Sequence, residues 1–324
     1  MYRVCLMEAE RKFRITASGD GERLDLSFVS FLEGTSRSRA QSWIRAGRVE
    51  VDGRVVNKPG FRVLDGHEVC LRVAEEVKQE DQNLGQALEI LYEDEEVLVV
   101  SKPAGLLTHG NRPGDRSVSS LLEASHGDLA QGSEEGRAGI VHRLDRNTSG
   151  VLVVARTQGA LSSLQDAFRE RRVQKTYEGV VLGTPRFDSD WIEARLGRHP
   201  KYPDRQSVMP EGEGREALTY WEVLERFDGL AHLSLSPKTG RTHQLRAHLA
   251  SIELPILEDA VYRGRGGHSS RLPDGAPLMK RHALHASELC FPHPKTGEDV
   301  RAQAPLPAEM VAVLQWLRSQ RALS

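Results

Sequence analysis

Gly139-Ile140-Val141-His142-Arg143-Leu144-Asp145-Arg146-Asn147-Thr148-Ser149-Gly150 is a dense polar and charged cluster set between apolar segments, and it reads as a loop entering a strand. The apolar run 151–155 continues that strand. Beyond it, Leu161, Leu164 and Phe168 mark one helix face, which ends in the basic run Arg169, Arg171 and Arg172. A carboxylate flanked by Arg143 and Arg146 is favoured as the anion, which fits Asp145 for work as a base or nucleophile. The same residues also read as a surface ion pair, with Asn147, Thr148 and Ser149 making turn hydrogen bonds.

Working outward, residues 88–92 and 97–100 flank an acidic turn and form a strand pair that ends in Lys102-Pro103-Ala104-Gly105, followed by a loop rich in Gly, Ser and Asp. Downstream, strands dominate at 176–182, 191–196, 217–224 and 230–235. Helices are predicted at 241–250 and through Met310, Val313, Leu314 and Leu317. Strands in runs, with helices inserted irregularly, predict an α+β fold.

With 324 residues, the chain is long enough for two domains. Residues 75–96 carry nine acids against the single base Lys78, and few apolar residues precede Leu88, so this stretch reads as a linker. Upstream of it, Leu24, Phe28 and Phe31 fall at helical spacing, and Ala40, Trp43 and Ile44 repeat the pattern after Ser36. Gly47 stops the second helix, a hairpin turns at Asp52-Gly53, and 67–73 is one more strand. The expected domains are 15–75, a linker at 76–87, and 88–324. The formal charge of −2 conceals a basic patch in the first of them, which includes Arg37, Arg39, Arg45 and Arg48.

Apolar residues at 39% and charged residues at 28% exclude wholesale disorder. The charged start lacks the apolar run of a signal peptide, and no segment is apolar enough to span a membrane, so the expected location is the cytoplasm, away from membranes. Cys5, Cys70 and Cys290 have neither the number nor the spacing of a disulfide framework or a cysteine zinc site. His282 and His285 could meet a metal, but no third ligand is visible, and neither a Walker loop nor Gly-x-Ser-x-Gly occurs.

A second charged cluster runs from Pro237-Lys238-Thr239-Gly240-Arg241 through Thr242-His243-Gln244-Leu245-Arg246-Ala247-His248. Gly240 stands where a strand would turn into a helix, and first-turn amides with Arg241 and Lys238 would favour an anion, either a phosphate or Asp145. An ordinary basic amphipathic helix is the plainer reading.

Taken in order, Ser101-Lys102-Pro103-Ala104-Gly105, His142-Arg143-Leu144-Asp145 with Thr148-Ser149-Gly150, Lys175 and Tyr177, Gly240 to Arg246, and Leu284-His285-Ala286 resemble the RluA-type pseudouridine synthases, over nearly all of residues 88–316. Arg23-Leu24-Asp25, Ser36 to Ala40, Gly47-Arg48-Val49, Val51-Asp52-Gly53 and Gly66 resemble the small RNA-binding domain first known from ribosomal protein S-four. This resemblance implies a mixed, mainly antiparallel sheet with a central cleft, preceded by a small α+β RNA-binding domain. It implies isomerisation of uridine in RNA, most often 23S ribosomal RNA, by a monomer that needs no cofactor. Asp145 would be the catalytic aspartate, Arg241 its ion-pair partner, and Tyr177 a residue packed against the target base. Arg143 would fill the place of the flipped uridine, and Arg37, Arg39, Arg45, Arg48, Lys102 and Lys238 would contact RNA. The same chemistry on transfer RNA, or a non-catalytic ribosome-assembly role, are the competing readings. One departure stands out: Glu258 occupies the place of the family's usual glycine ahead of Asp259.

Overall fold

The computed structural model describes residues 8–16, 20–32, 35, 37–45, 47–74, 88–110, 115–127, 129–132, 137–202, 205–262, 272 and 275–321. The chain divides into two compact units, Met1–Gly85 and Gln86–Ser324. The expected linker at 76–87 lies outside the described residues, as does most of the 264–277 loop.

The first unit runs β1 (Glu8–Arg14), α1 (Leu24–Phe31), α2 (Arg37–Arg45), β2 (Val49–Val51), β3 (Arg54–Val55) and β4 (Glu68–Ala74), with sheet order β1-β4-β2-β3. Asp52 and Gly53 turn the β2–β3 hairpin with φ of 49° and 74°, the left-handed pair that matches the twist of the flanking strands. Leu24 and Phe28 from α1 pack with Ala40 and Ile44 from α2 over Val49, Val69 and Leu71 of the sheet. Beneath them Asp25, fully buried, accepts hydrogen bonds from Arg23, Arg37 and Gln41, which ties the two helices together. Burial pushes its carboxyl up, but these donors outweigh it and hold the group well below the usual carboxylate range. β1, antiparallel to β4, was not legible: Glu8, Glu10, Arg11 and Lys12 give its segment the look of a solvated charge run.

The second unit begins with β5 (Glu89–Glu93), β6 (Val97–Lys102), α3 (Val118–His126), β7 (Ser149–Ala155), α4 (Gln158–Arg169) and β8 (Gln174–Leu182). It continues with β9 (Ser189–Glu193), β10 (Leu196–Arg198), β11 (Gln206–Val208), β12 (Leu218–Arg226) and β13 (Leu230–Pro237). α5 (Gln244–Ser251), β14 (Leu284–Pro292), β15 (Asp299–Gln303) and α6 (Ala308–Arg321) close it. A nine-stranded sheet has the order β5-β6-β7-β14-β8-β13-β12-β9, with β15 joined to β14. It is mixed: β14 runs parallel to β7 at His285↔Ser149 and Ala286↔Gly150, and its pairing with β8 and β15 is antiparallel.

The physical reasons for these elements are local. Every residue of β7 is buried, as expected for an apolar strand covered on both faces. α4 starts on Thr157, whose hydroxyl accepts the Ala160 N–H at 3.1 Å, and buries Leu161, Leu164 and Ala167. α3 lies inside the segment expected to be loop, where Ser117 and Ser120 cap each other's N–H groups at 3.2 and 2.9 Å. The expected strand at 191–196 is two strands, since β9 stops at Glu193 and β10 pairs separately with β11.

Candidate active site

The Asp145 turn is fixed from both sides. Thr108 donates its hydroxyl to the Leu144 carbonyl at 2.9 Å and accepts the Leu144 N–H at 3.1 Å. Arg146 accepts the Gly105 N–H at 2.8 Å and returns a bond from its Nε to the Gly105 carbonyl, also at 2.8 Å. Thr148 N–H closes the turn on the Asp145 carbonyl at 3.0 Å.

Lys102 completes this clamp. Its Nζ, fully buried, donates to the carbonyls of Pro103, Leu106 and Arg146 at 2.9, 2.8 and 3.0 Å. The expectation that Lys102 contacts RNA is therefore corrected: the end of β6 carries it inward, where it staples one loop to the other. Burial pushes the ammonium down to about 7, yet three carbonyls that can only accept face its three N–H bonds, which favours the charged form.

The guanidinium on Asp145 belongs to Arg246, not Arg241. Arg246 Nη1 donates to Asp145 Oδ2 at 3.0 Å, joining residues 101 apart in sequence. Its other edge forks onto Asp259, Nε to Oδ2 at 2.7 Å and Nη2 to Oδ1 at 2.9 Å. Burial pushes the Asp259 carboxyl up, but the Arg246 fork prevails and lowers it. Asp259 also accepts the N–H groups of Val261 and Tyr262, so it is the fixed anchor of the chain Asp259–Arg246–Asp145.

The correction has a geometric cause. α5 begins at Gln244 and is buried from Gln244 to Leu249, so Arg246 is carried into the interior. Arg241 stays in the preceding loop with its Nε on the Glu216 carbonyl at 3.0 Å. Its own N–H goes to Gln244 Oε1 at 3.0 Å, so that loop amide is satisfied internally rather than by an anion. The helix is thus buried all round, not a basic amphipathic surface helix. Arg246, Asp259 and Tyr262 are the site residues that sequence reasoning missed. One signal was present, since an arginine between Leu245 and Leu249 must be buried with them and needs partners.

Around the ion pair lies a cleft of about 580 Å³ lined by Asp145, Tyr177, Arg241, His243, Arg246 and Leu284, among others. Burial, and secondarily the Asp145 charge, push the Tyr177 phenol up, so the ring stays neutral. His243 caps α5 with φ 52°, its Nδ1 is 3.0 Å from the Tyr262 hydroxyl, and its Nε2 is 3.9 Å from Asp145 Oδ2. Arg143, Lys175 and Lys238 line the same cleft. Burial first, then Lys238, push Lys175 down to about 8.

Away from the cleft the expected residues separate. His282 Nε2 lies 2.9 Å from the Thr148 hydroxyl and His285 Nδ1 2.8 Å from the Ser149 hydroxyl, holding the entry to β7. Among the described residues no three or more His, Cys, Asp or Glu side chains are grouped to hold a metal ion. In the first unit Arg45 and Arg48 are exposed, Arg37 is drawn onto Asp25, and the Arg39 side chain is outside the described residues. No helix among the described residues is long and apolar enough to cross a membrane.

Residues 96–251 match the family model described as RNA pseudouridylate synthase, and residues 23–69 match the S4 domain. The chain is 36% identical over 303 residues to the protein named ribosomal large subunit pseudouridine synthase D of Vibrio parahaemolyticus, covering 92% of this chain and 91% of the relative. The protein of the same name from Escherichia coli strain K12 is 36% identical over 310 residues, again covering 92% and 91%. The solved structure titled human RNA pseudouridylate synthase domain containing 4 superposes with a TM-score of 0.56 at 26% identity, covering 71% of this chain and 93% of that one. With its two modules matched in order and relatives 36% identical along nine-tenths of its length, the chain belongs to the RNA pseudouridylate synthase family of RNA isomerases.

Proposed function

We propose that this chain converts uridine to pseudouridine in large-subunit ribosomal RNA, with Asp145 as the catalytic carboxylate. The observation that carries the reading is the Asp145–Arg246 pair at 3.0 Å inside a cleft that also holds Tyr177. The substrate follows from the names of the relatives that match nearly the whole chain.

The reaction breaks the bond from ribose C1′ to uracil N1, turns the base, and rejoins it through C5, which loses a proton while the freed N1 takes one up. Arg246 engages Oδ2 of Asp145 and leaves Oδ1 without a side-chain partner among the described residues. That oxygen serves the electron-poor ribose, as carboxylates do in glycoside chemistry. Tyr177 offers the detached uracil a neutral stacking face, and Arg246 is a positioning residue that aims the carboxylate. The target nucleotide must be unpaired or flipped out to enter, and Arg143, exposed at the cleft, takes its place in the helix. Bonds are exchanged within one nucleotide, with no net redox change or group transfer, so the chemistry balances without a cofactor. The enzyme acts as a monomer in the cytoplasm, and the first unit adds RNA affinity through Arg45 and Arg48.

Asp145→Asn keeps the size of the side chain and an oxygen that can accept from Arg246, so it should abolish turnover and leave RNA binding within about threefold. The check is to incubate both proteins with unmodified 23S, 16S and transfer RNA transcripts and map pseudouridine by carbodiimide-blocked primer extension. Stops in 23S RNA that vanish with the variant are the expected result; stops that persist with the Asp145→Asn variant would overturn the mechanism, and stops confined to transfer RNA would overturn the substrate.

A further inference from the structure

α4 ends in three arginines that the structure treats differently. Arg169 pairs with Asp166 and Arg172 with Glu170, so each is answered by a carboxylate of its own helix end. Arg171 makes no side-chain hydrogen bond or ion pair among the described residues, and it lies exposed on the lining of the catalytic cleft. Nor, among the described residues, does the cleft supply it with an anion, since Asp145, the carboxylate on the described lining, is already held by Arg246.

The backbone at Arg171 is as unusual as its surroundings. Arg172 N–H bonds to the Ala167 carbonyl at 2.9 Å and Arg171 N–H to the Phe168 carbonyl at 3.3 Å, the pair of bonds that closes a helix through one left-handed residue. That residue is Arg171, with φ 61°. Glycine is preferred there, because left-handed backbone presses a Cβ against the following carbonyl oxygen. A long cation kept at a position suited to glycine, and aimed into a cleft, has the character of strain retained at a binding site.

We propose that Arg171 binds a phosphodiester of the RNA strand that carries the target uridine, at the α4 rim of the cleft. The inference rests on the cleft being the RNA-modifying site. A nucleotide drawn into the cleft brings its flanking phosphates to the rim, where a guanidinium meets them with two parallel N–H bonds. Such a contact fixes the register of the strand without reading its sequence. The competing explanation is structural: a cation beside a helix C-terminus eases the helix dipole.

Salt-dependent binding separates the two. The full chain carrying Asp145→Asn is titrated with a single-stranded uridine-containing RNA by fluorescence anisotropy over a range of KCl concentrations, alone and with Arg171→Gly, Arg171→Lys or Arg172→Ala. Loss of one phosphate contact should weaken binding about fivefold and lower the slope of log K against log salt by about 0.7 in Arg171→Gly. Lysine should restore the slope, Arg172→Ala should leave it in place, and Arg171→Gly should melt at a higher temperature. In turnover with Asp145 restored, the loss should fall on KM rather than kcat. An unchanged slope in Arg171→Gly, or an equal drop in Arg172→Ala, overturns the proposal; a lower melting temperature with an unchanged slope makes Arg171 a helix-end cation. Failure of the underlying reading looks different, as absence of turnover by wild type on ribosomal RNA, whereas the binding slopes are read without turnover.

Discussion

Glu258 stands in left-handed backbone, φ 58°, immediately before the buried anchor Asp259. The turn keeps the shape a glycine would give it, and the glutamate carries the strain of its Cβ. Glu258→Gly should raise stability by about 1 kcal/mol, read as a higher urea midpoint, with the Asp259–Arg246 fork unchanged. A lower midpoint would mean that the greater freedom of glycine in the unfolded chain outweighs the relief. At this scale the motifs taken in order, rather than any one alone, placed Asp145 and Tyr177 together, and the two do line one cleft. The sequence was not legible where identity depends on helix phase: shifting the start of α5 to Gln244 takes Arg241 out of the helix and Arg246 into the interior. Lys102 was misread for a related reason, because a lysine reads as surface until the strand that carries it is known to turn inward.

β7 and β14 meet over two residue pairs, and the meeting depends on Gly150. With φ 121° there, an added Cβ would fall 2.1 Å from the Ala286 carbonyl oxygen, a backbone atom that cannot yield. Gly150→Ala should therefore destabilise the second unit by at least about 3 kcal/mol, seen in thermal melting, and should part the Asp145 turn from β14. A shift under about 1 kcal/mol would mean the two strands can separate cheaply. Elements with an uninterrupted apolar pattern, such as β7, α4 and β13, were readable from sequence alone. β14 was not, although it lies at the middle of the sheet. Its sequence, Leu284-His285-Ala286-Ser287-Glu288-Leu289-Cys290-Phe291-Pro292, mixes polar residues into a buried strand, and His285 is accommodated by the Ser149 hydroxyl and the Ala304 carbonyl, partners no local pattern reveals.

Across the molecule, two neutral histidines, half-buried His142 and buried His282, shape the response to acid. Burial pushes His142 down to about 3, with Lys175 adding to the effect, and His142 Nε2 accepts the Val153 N–H at 3.1 Å, a bond open only to the neutral ring. Burial likewise pushes His282 down to about 4, with Arg246 adding to it. In the unfolded chain both take up protons as pH falls through about 6.5, while in the folded chain they resist. Their contribution is therefore complete above that value and is lost as pH falls towards 4, at up to about 1.4 kcal/mol per pH unit for each ring. Urea midpoints should fall steadily from pH 7 to pH 4.5, and a flat profile would show that the rings are protonated in the fold.

The position of β14 has a consequence for how the protein is made. It fills the gap between β7 and β8, yet it is translated after both of them. Until it leaves the ribosome, the growing chain presents two unpaired strand edges, the kind of surface that invites pairing with a stranger. The nascent protein at that stage holds Asp145, Arg246 and Asp259 but lacks the strand that unites the two halves of its sheet. An enzyme proposed to modify ribosomes thus gains its finished cleft only once β14 has followed every member of the ion-pair chain out of the ribosome that makes it.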